Sequence, residues 1–194
     1  MKLWLVRHTR PAIEAGICYG ASDIDLDDGF EADAKPLLEA INGAGPVVYS
    51  SPLKRCVRLA ERIGVPVQDM RLAEMDFGDW ELQPWSAIDR AALDAWAADP
   101  LGWRVPGGET ARELCERTRD FTEDLGRAGV SEACIVTHGG VLRMLCALLW
   151  RQPPERVLDM AIPFGSALVV EWAGEARLQS TVGWARDALP AWVH

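Results

Sequence analysis

The chain has 194 residues, 49% of them hydrophobic and 25% charged, and a net charge of −9. That length suits one domain built on a single core. So acidic a chain offers no extended basic face for nucleic acid or anionic lipid, and it holds no run of 18 apolar residues that would span a membrane.

Lys2–Val6 predicts a strand running into Arg7-His8, and the few apolar residues before that pair fall short of a signal-peptide core. Residues 7–29, with irregular Pro, Gly and Asp, read as a long loop of the kind that carries function. A helix is expected over 31–42, with Pro36 kinking it or marking its first turn. Val47–Tyr49 reads as the second strand. Ser51 as N-cap and Pro52 at the first helical position then open a helix to about Ile63, stopped by Gly64. Val65–Met70 is a third strand candidate. Residues 75–108 are aromatic and loop-rich, with one or two short helices, and form a cap segment. Thr110 with Glu113 makes a capping box for a helix to about Gly126. Ala133–Thr137 is a buried strand ending in His138-Gly139-Gly140. Val141–Trp150 follows as a helix, and Ala167–Trp172 and Ala176–Val182 close the fold. This alternation predicts a three-layer α/β/α sandwich with a mostly parallel central sheet, in a single domain over 1–194.

His8 and His138 each follow an apolar strand, and the VVYSS strand ends just before a helix bearing Arg55. Ligands of open α/β sheets bind at the carboxyl ends of strands, so Arg7, His8, Arg55 and His138 are offered to a common rim. Guanidinium forks match phosphate oxygens, and a neutral imidazole fixed through one nitrogen can attack phosphorus with the other. Backbone amides of Gly139 and Gly140 at a helix start would add donors, and a carboxylic acid would be needed to protonate the leaving oxygen. A metal held by His8, His138 and a carboxylate is opposed by the two arginines beside it, so neither metal nor cofactor is expected. Cys18, Cys56, Cys115, Cys134 and Cys146 are odd in number and lack CxxC spacing, which reads as reduced thiols in the cytoplasm. Cys56-x5-Arg62 has the spacing of a cysteine-phosphatase loop. It lies inside a helical pattern, where its amides are already used.

LVRHTRP at 5–11, YSSPLKRC at 49–56, LAEMDFGDWE at 72–81, GGET at 107–110 and IVTHGG at 135–140 stand in the order seen in the histidine phosphatase superfamily. The chain resembles the branch of phosphoglycerate mutases and small-molecule phosphatases, from residue 3 to about 150 and more weakly at 162–172. GICYGASDIDL (16–26), EMDFGDWE (74–81) and the short insert before GGET are most similar to the α-ribazole phosphatases of cobalamin biosynthesis. The resemblance implies a phosphoglycerate mutase-like fold and hydrolysis of a small-molecule phosphomonoester. It implies His8 as the nucleophile, Arg7, Arg55 and His138 as the phosphate ring with Gly139 N–H as a further donor, and Glu74 as general acid, then base. Asp76 and Glu81 are fallback acids, and Thr9, Arg10, Tyr19 and Trp80 are candidate pocket residues. The alternatives are a broad-specificity, sugar-phosphate or phosphoglycerate phosphatase. A mutase fits less well, because only Arg90 and Arg104 lie between Glu81 and Gly107 where mutase relatives carry a basic insert. A binding-only relative is disfavoured by the complete set of histidines, arginines and acid.

Departures from the family pattern bear on the site. Thr9 replaces a glycine beside the nucleophile, and Glu14 stands where relatives carry Asn, so Glu14 is expected to point away from phosphate. Arg10 either adds positive potential or is simply solvated. Trp80, Trp85 and Trp103 are candidates to line the pocket, while Trp96 reads as helix packing. The closing strands and the tail carrying Trp184 and Trp192 leave a homodimer open.

Overall fold

The computed structural model of the protein describes residues 1–193. Strands β1 (Lys2–Arg7), β2 (Val47–Ser50), β3 (Val67–Gln68), β4 (Glu132–Thr137), β5 (Ala167–Trp172) and β6 (Ala176–Val182) form one sheet, ordered β3-β2-β4-β1-β5-β6. The first four neighbours run parallel, while β5 and β6 are an antiparallel hairpin on the other side of β1. The sheet is therefore mixed, with a parallel portion that carries the candidate site.

Side-chain alternation builds both faces at once. Leu3, Leu5, Ala133, Ile135, Leu168 and Val170 point into one core, and Trp4, Val6, Cys134, Val136, Ala167 and Val169 into the other. Helices α1 (Phe30–Ile41) and α2 (Lys54–Ile63) cover the second face. Helices α4 (Ala111–Arg127) and α5 (Gly139–Leu149) cover the first, together with the segment that holds the short α3 (Arg90–Ala98). The Thr110–Glu113 capping box opens α4 as the sequence predicts.

Four expectations shift. Ser51 and Pro52 do not open α2, which starts at Lys54 after an extended Leu53; the Ser51 hydroxyl meets both the Leu53 amide and His138. The third strand shrinks to the exposed pair Val67–Gln68 at the sheet edge. Pro36 lies in the interior of α1 rather than in its first turn. Helix α5 begins at Gly139, two residues earlier than the periodicity indicates, so it starts directly after His138.

Candidate active site

Register places the site. Arg7 pairs with Thr137 and Ser50 with Val136, so β1, β2 and β4 end level with one another. The next residues extend the ladder: His8 N–H donates to the Thr137 carbonyl and Ser51 N–H to the Val136 carbonyl. His8, Ser51 and His138 thus emerge side by side, and the two imidazole centroids are 5.1 Å apart. A cavity of about 180 Å³ opens over them, lined by Arg7, His8, Ile17, Tyr19, Glu74 and Trp85.

His8 Nδ1 lies 2.6 Å from the carbonyl oxygen of Thr9. A carbonyl only accepts, so the proton sits on Nδ1 and leaves a lone pair on Nε2. Burial, reinforced by Arg55 and Arg7, holds this imidazole well below its usual range and keeps it neutral. Arg7 crosses the face of Phe164 at 3.7 Å and donates to the Ile162 carbonyl, while its buried Nε has no partner. Burial lowers the Arg7 pKa too.

Arg55 is wholly buried. Its guanidinium donates to the carbonyls of Ser22 (2.7 Å) and Gly20 (2.5 Å) and to His138 Nδ1 (3.3 Å). His138 Nε2 is 2.7 Å from Ser51 Oγ. With Nδ1 accepting from a guanidinium, the neutral ring carries its proton on Nε2 and donates it to Ser51. Both nitrogens of His138 are therefore engaged, and the ring lies beneath the cavity rather than lining it. Burial, followed by His8, Arg55 and Arg7, pushes its pKa far down.

The Glu74 oxygens accept from the amides of Met75 and Gly140, each at 3.0 Å. A Cβ at Gly140 would overlap this carboxylate, so a larger residue there would push Glu74 off the Gly140 amide. One of the two amides expected to face phosphate is thereby used by the acid, leaving Gly139, whose Cβ position faces the Arg7 guanidinium at 3.5 Å. Arg117 of α4 fixes the backbone beneath Glu74. It donates to the carbonyls of Arg71, Ala73 and Glu74 and pairs with Glu109 at 2.7 Å. Glu81, a fallback acid in sequence terms, instead accepts from the amides of Ala21, Ser22 and Phe77. It staples the loop whose carbonyls hold Arg55, and Gly20 is required where that loop meets the Met75 carbonyl.

Other candidates fall elsewhere. Thr9 is buried and not among the residues at positive φ, so its backbone makes no demand for glycine. Arg10 does not line the His8 cavity: it is paired with Asp27 and Asp33 and borders a neighbouring cavity behind Ile17 and Tyr19, and Glu14 is exposed. Tyr19 lines the cavity, with its phenol pushed up by burial. Trp80 does not line it: it is buried and stacks on Trp103 at 5.4 Å. Trp85 lines the cavity and stacks on Trp96, which walls a neighbouring one, so Trp96 is more than packing. Sequence reasoning missed Ser51 as a partner of His138, as well as Arg117 and Arg143. Cys56 is buried in α2 with its thiol pushed up by desolvation, unlike a phosphatase nucleophile.

The family model for the histidine phosphatase superfamily (branch 1) matches residues 3–184. The chain belongs to this family. This histidine phosphatase is 30% identical to the glucosyl-3-phosphoglycerate phosphatase of Mycolicibacterium vanbaalenii, over 94% of this chain and 88% of that one. It is 31% identical to the adenosylcobalamin/alpha-ribazole phosphatase of Salmonella typhimurium, over 79% and 81% of the two chains. It is also 29% identical to phosphoserine phosphatase 1 of Hydrogenobacter thermophilus, over 77% and 76%. Among solved structures, the alpha-ribazole phosphatase from Shigella flexneri superposes with a TM-score of 0.85 at 25% identity, covering 92% of this chain and 95% of that one. The fold is phosphoglycerate mutase-like, and no helix among the described residues is long and apolar enough to cross a membrane.

Proposed function

We propose that this histidine phosphatase hydrolyses a small-molecule phosphomonoester through a phosphohistidine at His8, and that its substrate is α-ribazole 5′-phosphate, released in cobalamin biosynthesis. The observation that carries the chemistry is the His8–Thr9 contact, which leaves Nε2 unprotonated in a cavity shared with Arg7 and Glu74.

The Nε2 lone pair attacks phosphorus while the bond from phosphorus to the leaving oxygen breaks, and protonated Glu74 gives that oxygen its proton. Water then attacks phospho-His8. Glu74 takes the water's proton, the P–N bond breaks, and orthophosphate leaves. Arg7, with its unpartnered Nε, and Arg55 supply positive charge beside the transferring group, which is most of what an in-line displacement asks of a protein. Five unpaired buried thiols suit a reducing, cytoplasmic setting.

The substrate assignment is supported by the 16–26 and 74–81 motifs and by the alpha-ribazole phosphatases among the relatives. The longer alignment with the glucosyl-3-phosphoglycerate phosphatase favours a sugar-phosphate ester as the second reading. Phosphate release should be followed from α-ribazole 5′-phosphate, glucosyl-3-phosphoglycerate, O-phosphoserine and 3-phosphoglycerate, with chelator present and His8→Ala as blank. Selective turnover of the ribazole ester, lost in His8→Ala, is expected. Preference for another ester removes the substrate assignment, and turnover that survives His8→Ala removes the mechanism.

A further inference from the structure

A second, larger cavity of about 670 Å³ adjoins the first, and Glu74 lines both. In-line attack by His8 Nε2 puts the leaving oxygen on the opposite side of phosphorus, against Glu74. The group attached to that oxygen therefore projects past Glu74 into the larger space. Its volume falls within the ordinary range for small-molecule sites. The walls are Phe77, Trp96, Leu114, Met144 and Leu158. Trp96 lies nearly parallel to Trp85 at 6.1 Å, so one aromatic wall runs from the phosphate cavity into this one. With Glu74 carrying the proton it will donate, the charges still lean negative: Glu155 and Asp159 face the single guanidinium of Arg143, whose Nε already donates to the Met160 carbonyl.

We infer that this cavity is the leaving-group subsite, that it takes a flat, uncharged or cationic aromatic group, and that it rejects leaving groups bearing a carboxylate or second phosphate. The inference rests on the phospho-His8 reading. An aromatic group gains burial against Phe77 and Trp96, whereas an acidic group enters against the carboxylates of Glu155 and Asp159.

The test compares two primary alkyl esters of similar intrinsic reactivity, 2-(1-naphthyl)ethyl phosphate and O-phosphoserine, on the full chain. The naphthyl ester should be favoured in kcat/KM by about 100-fold, the order that a pocket mismatch produces. Trp96→Ala should raise KM for the naphthyl ester about tenfold while leaving O-phosphoserine within twofold. Glu155→Gln with Asp159→Asn should raise kcat/KM for O-phosphoserine several-fold and leave the naphthyl ester unchanged, a reversal that loss of folding would not produce. Equal preference for the two esters, or equal effects of each variant on both, overturns the subsite while phosphate label trapped on His8 preserves the mechanism. Turnover of neither ester, with no label on His8, overturns the phospho-His8 reading and the subsite with it.

Discussion

The Nδ1 of His8 donates to the carbonyl oxygen of the very next residue, Thr9, at 2.6 Å. A one-residue contact of this kind fixes the tautomer without a separate carboxylate partner, so the ring gains orientation and no negative neighbour. The Thr9 contact itself favours the charged ring, but burial, followed by the positive charges of Arg55 and Arg7, outweighs it and holds the imidazole neutral. Its neighbour His138 is held neutral for the same reasons, burial first.

Two buried neutral imidazoles make stability depend on pH. In the unfolded chain each titrates near 6.5. In the fold both pKa values are depressed, so as pH falls through about 6.5 the unfolded state takes up protons that the folded state refuses. Stability is fully present above this pH and is lost below it, by up to about 1.4 kcal/mol per pH unit for each ring, until the folded values are reached. Urea unfolding between pH 7.5 and 5.5 should show this decline, and His138→Asn should reduce its slope by about half. A flat profile for the parent chain would mean that both rings accept protons in the folded state.

Glu74 is expected to act twice, and the two steps can be separated by leaving group. A 4-nitrophenolate departs without a proton, so Glu74→Ala should still phosphorylate His8 from 4-nitrophenyl phosphate. Hydrolysis of the phosphoenzyme should slow by about 10²–10⁴ for want of a base. Stopped-flow measurement should record a burst of nitrophenol equal to the enzyme present, followed by slow turnover, and no burst with an alkyl ester. Equal slowing with both esters and no burst would remove Glu74 from the acid role.

Arg117 touches no part of the cavity but ties down the carbonyls of Arg71, Ala73 and Glu74. A lysine cannot serve this many acceptors from one ammonium. Arg117→Lys should therefore lower kcat for an alkyl ester about tenfold with KM unchanged, and affect the nitrophenyl ester less. A role confined to stability would lower the unfolding midpoint and leave the ratio between esters untouched.

Which of these parts the sequence displays follows from how local their causes are. His8, His138 and Arg7 are legible because each closes a short continuous apolar run, the mark of a strand buried on both faces, and strand ends are where such sheets bind ligands. The capping box at Thr110 is legible because both partners lie within four residues. Ser51 carries the local signature of a helix cap, yet its hydroxyl is used by His138, 87 residues away. Trp96 has helical spacing and reads as packing; it does pack against the core beside Phe77 and Trp80, but its other side walls a cavity, which spacing does not show. Arg10 shows the converse. Its place beside the nucleophile suggests the phosphate pocket, but Asp27 and Asp33 hold it at a neighbouring cavity instead.

Leu82 sits at φ 63°, in the left-handed region that costs a residue with a Cβ about 1–2 kcal/mol. The turn is imposed from outside: the Leu82 amide donates to the Cys18 carbonyl at 2.8 Å, joining the cap segment to the loop that carries Tyr19. The side chain is 58% exposed, so little burial is lost by removing it. Glycine relieves the strain, offset by roughly 0.5–1 kcal/mol for its greater freedom in the unfolded chain. Leu82→Gly should then raise stability by about 0.5–1 kcal/mol, whereas Leu82→Ala, which keeps the Cβ, should raise it little. Chemical unfolding of the two variants beside the parent reads this directly, and equal midpoints for Gly and Ala would show that the backbone at residue 82 is unstrained.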